Sequence, residues 1–262
     1  MDSMTSGSIT MGTRRYMFGK NKPRHSLKTL LMSNYADAGH LAFPAKQAWE
    51  RREISTDPLG NDMVGDCAEA APARAIMNMT MVAKWTTPTV ITAPQVVQAY
   101  SDITGYDSAK PETDQGSNML DVCQYLKTKG MGGFTFDGYV KLDHSNIDQI
   151  RACIYIFGWV YGGIVLPKNL AQAISGGNVP ANWDYDPSDG LSNEGHAISL
   201  FGYGRYGFAL NSWGMWLHMD NDFWLNYVDE AYALVSKAWL KQSGISPSGF
   251  DYAGLLADLS RV

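Results

Sequence analysis

The stretch LGNDMVGDCAEAAPARAIMNM, which starts at Leu59, runs through Gly, Asn and Asp into Cys67 and then into an Ala/Met-rich helical pattern. A thiol at a helix N-terminus meets unpaired N–H groups and the positive end of the helix dipole, and both favour the nucleophilic thiolate. Such a thiol needs a base. The five histidines are His25, His40, His144, His196 and His218. His25 and His40 fall in a basic N-terminal stretch, His144 in a loop before a helix, and His218 among Met and Asp residues. These four read as surface or packing histidines. His196 instead opens an apolar strand pattern, NEGHAISLFGYG, and Asn211 closes the next one fifteen residues later, in NSWG. A hairpin of these strands brings the two ends together, where an Asn amide can fix the imidazole tautomer. Trp213 is placed to shield that bond from water. Cys123 and Cys153 lie on apolar helix faces and read as buried thiols.

The elements that must position these residues follow from periodicity. Helices are expected over 66–85, 92–103, 117–129 and 145–157. In the first, Pro72 predicts a kink or a late start, since an interior proline costs about 3 kcal/mol. In the third, Met119, Val122, Cys123 and Leu126 share a face and Gly130 ends the helix. In the fourth, Ser145 and Asp148 form a capping-box variant. From residue 159 the pattern changes to WVYGGIVLP, HAISLFGYG, YGFALNSW and FWLNYVDEAYALVS. These are aromatic and β-branched runs separated by Gly and Asn/Asp turns. The fold class is therefore α+β, with a helical half at about 41–155, a β-rich half at about 156–240, and a cleft between them. Residues 241–262 read as a tail with a short amphipathic helix.

The 262 residues suffice for one large domain or two fused subdomains, and the 45% hydrophobic content is globular. The overall charge of −5 argues against general nucleic-acid binding. Charge is uneven: residues 1–28 hold six cations against Asp2, a net +5, so the remainder carries −10. Residues 1–40 thus read as a basic extended arm, with a protein partner or assembly as its expected contact. No apolar run reaches membrane-span length, and the first 30 residues lack a secretory signal's apolar core. Three scattered cysteines make no disulfide framework and predict a reducing cytoplasm. No Cys/His spacing suggests a metal, and no cofactor motif is present.

GHAISLFGYGRYGFALNSWG resembles the histidine and asparagine strands of papain-like cysteine peptidases. NDMVGDCAEA is similar to that family's block of an amide residue, five intervening residues and the nucleophilic cysteine. DQGSNMLDVCQYLKTKGMGG and IRACIYIFGWVYGGIVLP are similar, in order, to its Gly-rich turn with helix and to its helix-then-strand entry into the second subdomain. The resemblance covers roughly residues 45–235. It implies Cys67 as nucleophile, His196 as general base and then acid, and Asn211 as the residue orienting His196. It implies Asn61 as an oxyanion donor beside the Cys67 N–H, and a peptide or protein substrate cleaved through a thioester.

The sequence departs from the family at several points. Asn61 is one methylene shorter than the usual Gln. Ala68 replaces an aromatic, Val64 stands where secreted members have a disulfide cysteine, and Trp216 comes one position early. Asp66 and Glu69 flank Cys67 and oppose its thiolate. The 40-odd residues before the body are expected to be too few for an inhibitory propeptide. Peptidase or amidase chemistry leads. Behind it stand a catalytically silent papain-like component of an assembly such as a phage virion, and a transglutaminase-like acyltransferase, for which Asn211 is the wrong third member.

Overall fold

The computed structural model describes residues 15–24, 26, 29–32, 43–239 and 247–248. The expected helix in 241–262 lies outside them, as does most of the arm before residue 15.

Helix α1 (Cys67–Val82) is the centre of the molecule, with fourteen of its sixteen residues buried. A helix that is apolar all round belongs inside a core. It packs against the long strand β6 (Leu191–Gly204) on one side and against α2 (Ala93–Thr104) and α3 (Met119–Thr128) on the other. Pro72 lies inside α1, which starts at Cys67 and runs on past it to Val82, so the proline does not delay the start. The carbonyl it leaves unpaired is that of Ala68, four residues back, and the buried Tyr161 hydroxyl donates to this oxygen at 2.6 Å. A side chain from the β half thereby replaces the missing backbone donor, which satisfies the requirement that buried carbonyls be paired.

Helices α2 and α3 begin where local capping chemistry puts them. Gln95 reaches back to accept from the Thr92 N–H at 2.9 Å, and Asn118 accepts from the Leu120 N–H at 3.0 Å. Helix α4 (Ile147–Phe157) differs from the expectation. Its cap is Asn146, which accepts from the Gln149 N–H at 3.0 Å, while the Ser145 hydroxyl is already committed to Asp143 at 2.6 Å.

A nine-stranded sheet carries the rest. The remaining strands are β1 (Leu30–Leu31), β2 (Gln47–Ala48), β3 (Phe136–Lys141), β4 (Val160–Pro167), β5 (Asn182–Trp183), β7 (Gly207–Ser212), β8 (Met215–Asp220) and β9 (Val228–Ser236). Their order is β1-β3-β9-β4-β6-β7-β8-β5, with β2 added onto β6. β3 comes from the helical half yet pairs antiparallel with β9, so one sheet draws on both halves. The expected strand from Phe223 is shorter than its apolar run suggests. Asp220 caps a helix, α6 (Asn221–Tyr227), whose Phe223 and Trp224 are buried, and β9 starts only at Val228. Helix α5 (Lys168–Ser175) follows β4 directly.

Tyr161→Phe should destabilise the chain by about 1–2 kcal/mol in denaturant unfolding, because it strands the Ala68 carbonyl. In a Pro72→Ala background, which restores the natural donor, the same change should cost a few tenths of a kcal/mol. Equal costs in both backgrounds would mean that the two residues are not coupled.

Candidate active site

Cys67 is the first residue of α1, as its turn-then-helix context predicts. The loop before it is held rigidly. Leu59 and Gly60 take left-handed φ values of 64° and 100°, and the Leu59 N–H is held by Asp57 Oδ1 at 2.8 Å. Arg74, reaching back from α1, donates to the carbonyls of Ser55 and Asp57. On the far wall, Asp114 accepts from the Gly65 N–H at 3.1 Å and from the Tyr100 hydroxyl at 2.5 Å, and Tyr100 accepts from the Gly116 N–H at 2.8 Å. This network joins α2 to both edges of the groove beside Cys67. Nothing in the composition or spacing of Tyr100 and Asp114 flags it.

Cys67, His196, Asn211, Asn61, Ser212 and Trp213 line one small cavity between α1 and the β6–β7 hairpin. Every residue selected from the sequence is therefore at one place. Their mutual bonds differ from the expected set. The β6–β7 register puts Asn211 opposite Ser199, three residues beyond His196. The partner of His196 Nε2 is Ser212 Oγ at 2.6 Å, while His196 Nδ1 and Asn211 Nδ2 carry no hydrogen bond. Ser212 lies inside the NSWG motif but was not singled out, because a serine between Asn and Trp carries no distinguishing pattern. Trp213 stacks on the imidazole, with centroids 4.1 Å apart and planes 13° apart, but the bond beside it runs to Ser212 and not to Asn211. The Asn61 amide donates to the Val64 carbonyl at 3.0 Å.

The cleft is filled by the chain's own arm. Tyr16 and Phe18 pack edge-on against Trp213, and Phe18 also against His196. The Met17 N–H donates to the Asn61 carbonyl at 2.9 Å, and Trp213 Nε1 donates to the Met17 carbonyl at 3.2 Å. Further along, the Lys20 N–H donates to the Gly195 carbonyl at 3.1 Å and the Ser117 N–H to the Gly19 carbonyl at 2.8 Å. The approach is so close that a Cβ on Gly19 would lie 1.8 Å from the Gly65 oxygen, and one on Gly116 would lie 2.0 Å from the Gly19 oxygen. Residues 16–20 thus lie along the groove beside Cys67 and His196. The described part of the arm meets this chain's own groove.

The electrostatics are those of a resting site. Burial is the main force pushing the Cys67 thiol up, to about 12. Glu69 and Asp66 push it the same way, against the backbone N–H groups of Ala197 and Gly19. Burial, and secondarily the Lys20 cation, depress His196 to about 3. Both groups are neutral at neutral pH. Asp66 and Glu69 oppose the thiolate as the sequence suggests, but burial also raises both of them, Glu69 to about 8.

The chain matches no family model and no curated protein sequence. Its fold is the papain-like cysteine protease fold. Xylellain, a cysteine protease from Xylella fastidiosa, superposes with a TM-score of 0.66 at 16% identity, over 87% of this chain and 99% of that one. A digestive procathepsin L2 from Tenebrio molitor larval midgut gives 0.60 at 14% identity, over 84% and 78%. The Carica candamarcensis cysteine protease CMS1MS2, solved with E-64, gives 0.52 at 14% identity, over 74% and 99%.

Glu69 supplies a test of this electrostatic picture. Its carboxylate is fully buried, and burial raises its pKa from about 4.5 to about 8 against the opposing pull of the neighbouring Ser117 hydroxyl. The folded state thus binds a proton that the unfolded state releases, so stability is lost as pH rises through that window. Glu69→Gln should match the parent near pH 4 and exceed it increasingly up to pH 8, by about 4 kcal/mol in urea unfolding. A pH-independent difference would show that this carboxyl is not a buried acid.

Proposed function

We propose that the chain is a cysteine peptidase, and that the conformation described is its latent form, with residues 16–20 in place of substrate. The observation that carries this is the convergence of Cys67, His196, Asn211 and Asn61 on one cavity of a papain-like fold. The latent state follows from the arm. It buries both reacting groups and holds the Lys20 cation where it disfavours an imidazolium.

Arm departure reverses both effects. Water reaches the site, the cation leaves His196, and the Cys67 proton can pass to the imidazole. The resulting thiolate is stabilised by the α1 N-terminus and by the imidazolium. It attacks a peptide carbonyl, and the carbonyl electron pair becomes an oxyanion received by the Cys67 N–H and by the Asn61 amide proton not engaged at Val64. His196 then protonates the leaving amine as the C–N bond breaks, leaving a thioester. Next, His196 takes a proton from water, whose oxygen attacks the thioester; the C–S bond breaks, the carboxylic acid product leaves, and the Cys67 thiolate regains its proton from His196. Ser212 and the stacked Trp213 hold the imidazole plane throughout, and Asn211 is the neighbouring amide able to join them once the ring is charged.

Lys20→Glu sets a carboxylate against Asp229 and Glu230 and should expel the arm. At pH 7 the unaltered chain should resist iodoacetamide at Cys67, while the Lys20→Glu chain should be alkylated at least tenfold faster, with Cys67→Ala as the blank. The alkylation-competent chain should cleave a mixed peptide library, and Cys67→Ala or His196→Ala should abolish that cleavage. An accessible, reactive Cys67 that cleaves no peptide would overturn the peptidase reading.

A further inference from the structure

Lys20 is a buried cation in an arm that otherwise meets the cleft through backbone and aromatic contacts. Its side chain is 1% exposed, and its ammonium lies 2.9 Å from Asp229 and 3.3 Å from Glu230 Oε1. A third contact runs to the Asn21 carbonyl at 3.2 Å. Glu230 is fully buried, and its second oxygen accepts from the Tyr232 hydroxyl at 3.0 Å. Asp229, 24% exposed at its side chain, stands toward the mouth.

The pocket around this side chain is built from four elements. A Cβ on Gly163 of β4 would lie 2.2 Å from Lys20 Cε, 2.7 Å from Met119 Sδ and 2.9 Å from Glu230 Cγ. The channel therefore exists because residue 163 has no side chain. Met119, the first residue of α3, supplies an apolar wall for the methylene stem. Gly195 of β6 lies against the Lys20 backbone, where a Cβ would be 2.1 Å from the Lys20 oxygen. Glu230, at the start of β9, forms the acidic floor. One residue away, the Gly19 amide bears on the Cys67 thiol.

With the arm withdrawn, this pocket is an apolar channel of lysine length that ends at a buried carboxylate, next to the point where a substrate carbonyl would meet Cys67. An aliphatic side chain there would leave Glu230 desolvated and unpaired, and an acidic one would be repelled. We propose that the pocket is a substrate subsite selecting a basic side chain, lysine or arginine, with Glu230 as its specificity determinant and Gly163 as the residue that keeps it open. The inference rests on the peptidase reading for its substrate class: peptides carrying a basic residue next to the one that faces Cys67. Lys20 then holds the arm by occupying the site its substrates use.

The test uses the full chain with Lys20→Ala, which keeps the arm but removes its anchor, plus Cys67→Ala to prevent turnover. Fluorescein-labelled heptapeptides with the arm's own sequence, Tyr-Met-Phe-Gly-Lys-Asn-Lys, carry Lys, Arg, Leu or Glu at the fifth position. Anisotropy should show the Lys and Arg peptides binding at least tenfold more tightly than the Leu and Glu peptides. Adding Glu230→Gln should weaken the Lys peptide about tenfold and spare the Leu peptide. Equal binding of Lys and Leu peptides, or no binding of any peptide, would overturn the subsite. Should Lys20→Ala fail to fold, Lys20→Met retains the stem and serves in its place. Cleavage of the same peptides is measured separately with Cys67 intact. Basic-selective binding without cleavage would sink the peptidase reading and leave the subsite. Cleavage indifferent to the fifth residue would sink the subsite and leave the peptidase.

Discussion

A lysine ammonium cannot enter a protein interior unless its charge is met there. Lys20 enters because Glu230 and Asp229 wait at the end of its channel, and much of the site's state depends on that ion pair. Holding the ammonium there fixes Lys20, which fixes Gly19 against the Cys67 thiol and Phe18 against His196. Burial is the main force depressing the imidazole that would accept the thiol proton, and the same cation adds to it. One charge thus anchors the arm mechanically and quiets the chemistry electrostatically.

Such a pair need not contribute much net stability. Two charges taken out of water recover little more than their desolvation cost, yet removing one partner leaves the other stranded, at a cost of about 3–5 kcal/mol. The arm is therefore held less by attraction than by what its departure leaves behind: a buried Glu230 with only the Tyr232 hydroxyl for company. Water, protonation of Glu230 or another cation can each relieve that state. A backbone-only contact would have no such dependence on what replaces it.

What was legible in the sequence was the chemistry carried by local patterns. Cys67 at a Gly-Asp turn before a helix, and His196 and Asn211 on consecutive strands, are read from neighbours in the chain, and the structure puts them around one cavity. The helix spans were legible for the same reason, to within a few residues. Effects that depend on distant partners were not. Pro72 reads as a kink or late start because the Tyr161 hydroxyl that compensates for it is 93 residues from Ala68 in the chain. Ser212 takes the imidazole nitrogen because the hairpin register sets Asn211 opposite Ser199, and register is fixed by the whole sheet. The strand expected from Phe223 gives way to α6 because the Asp220 cap and the burial of Trp224 outweigh β-propensity.

The arm shows the deepest version of that limit. Its basic, glycine-rich composition is that of a segment without a core of its own. What composition cannot hold is where that chain lies. The glycines at 19, 65 and 116 look like separate loop residues along the sequence, but in space they are the surfaces of one contact, each needed because the other backbone passes too close for a Cβ. Lys20 likewise looks like one of six cations in a solvated arm, while its counter-charges lie more than 200 residues away in an apolar strand. Charge counted along the chain gives a basic arm on an acidic body and points to a protein partner or assembly. In the arm's described part, Lys20 lies against the chain's own Asp229 and Glu230, in a pocket where an unpaired carboxylate would be costly to leave empty.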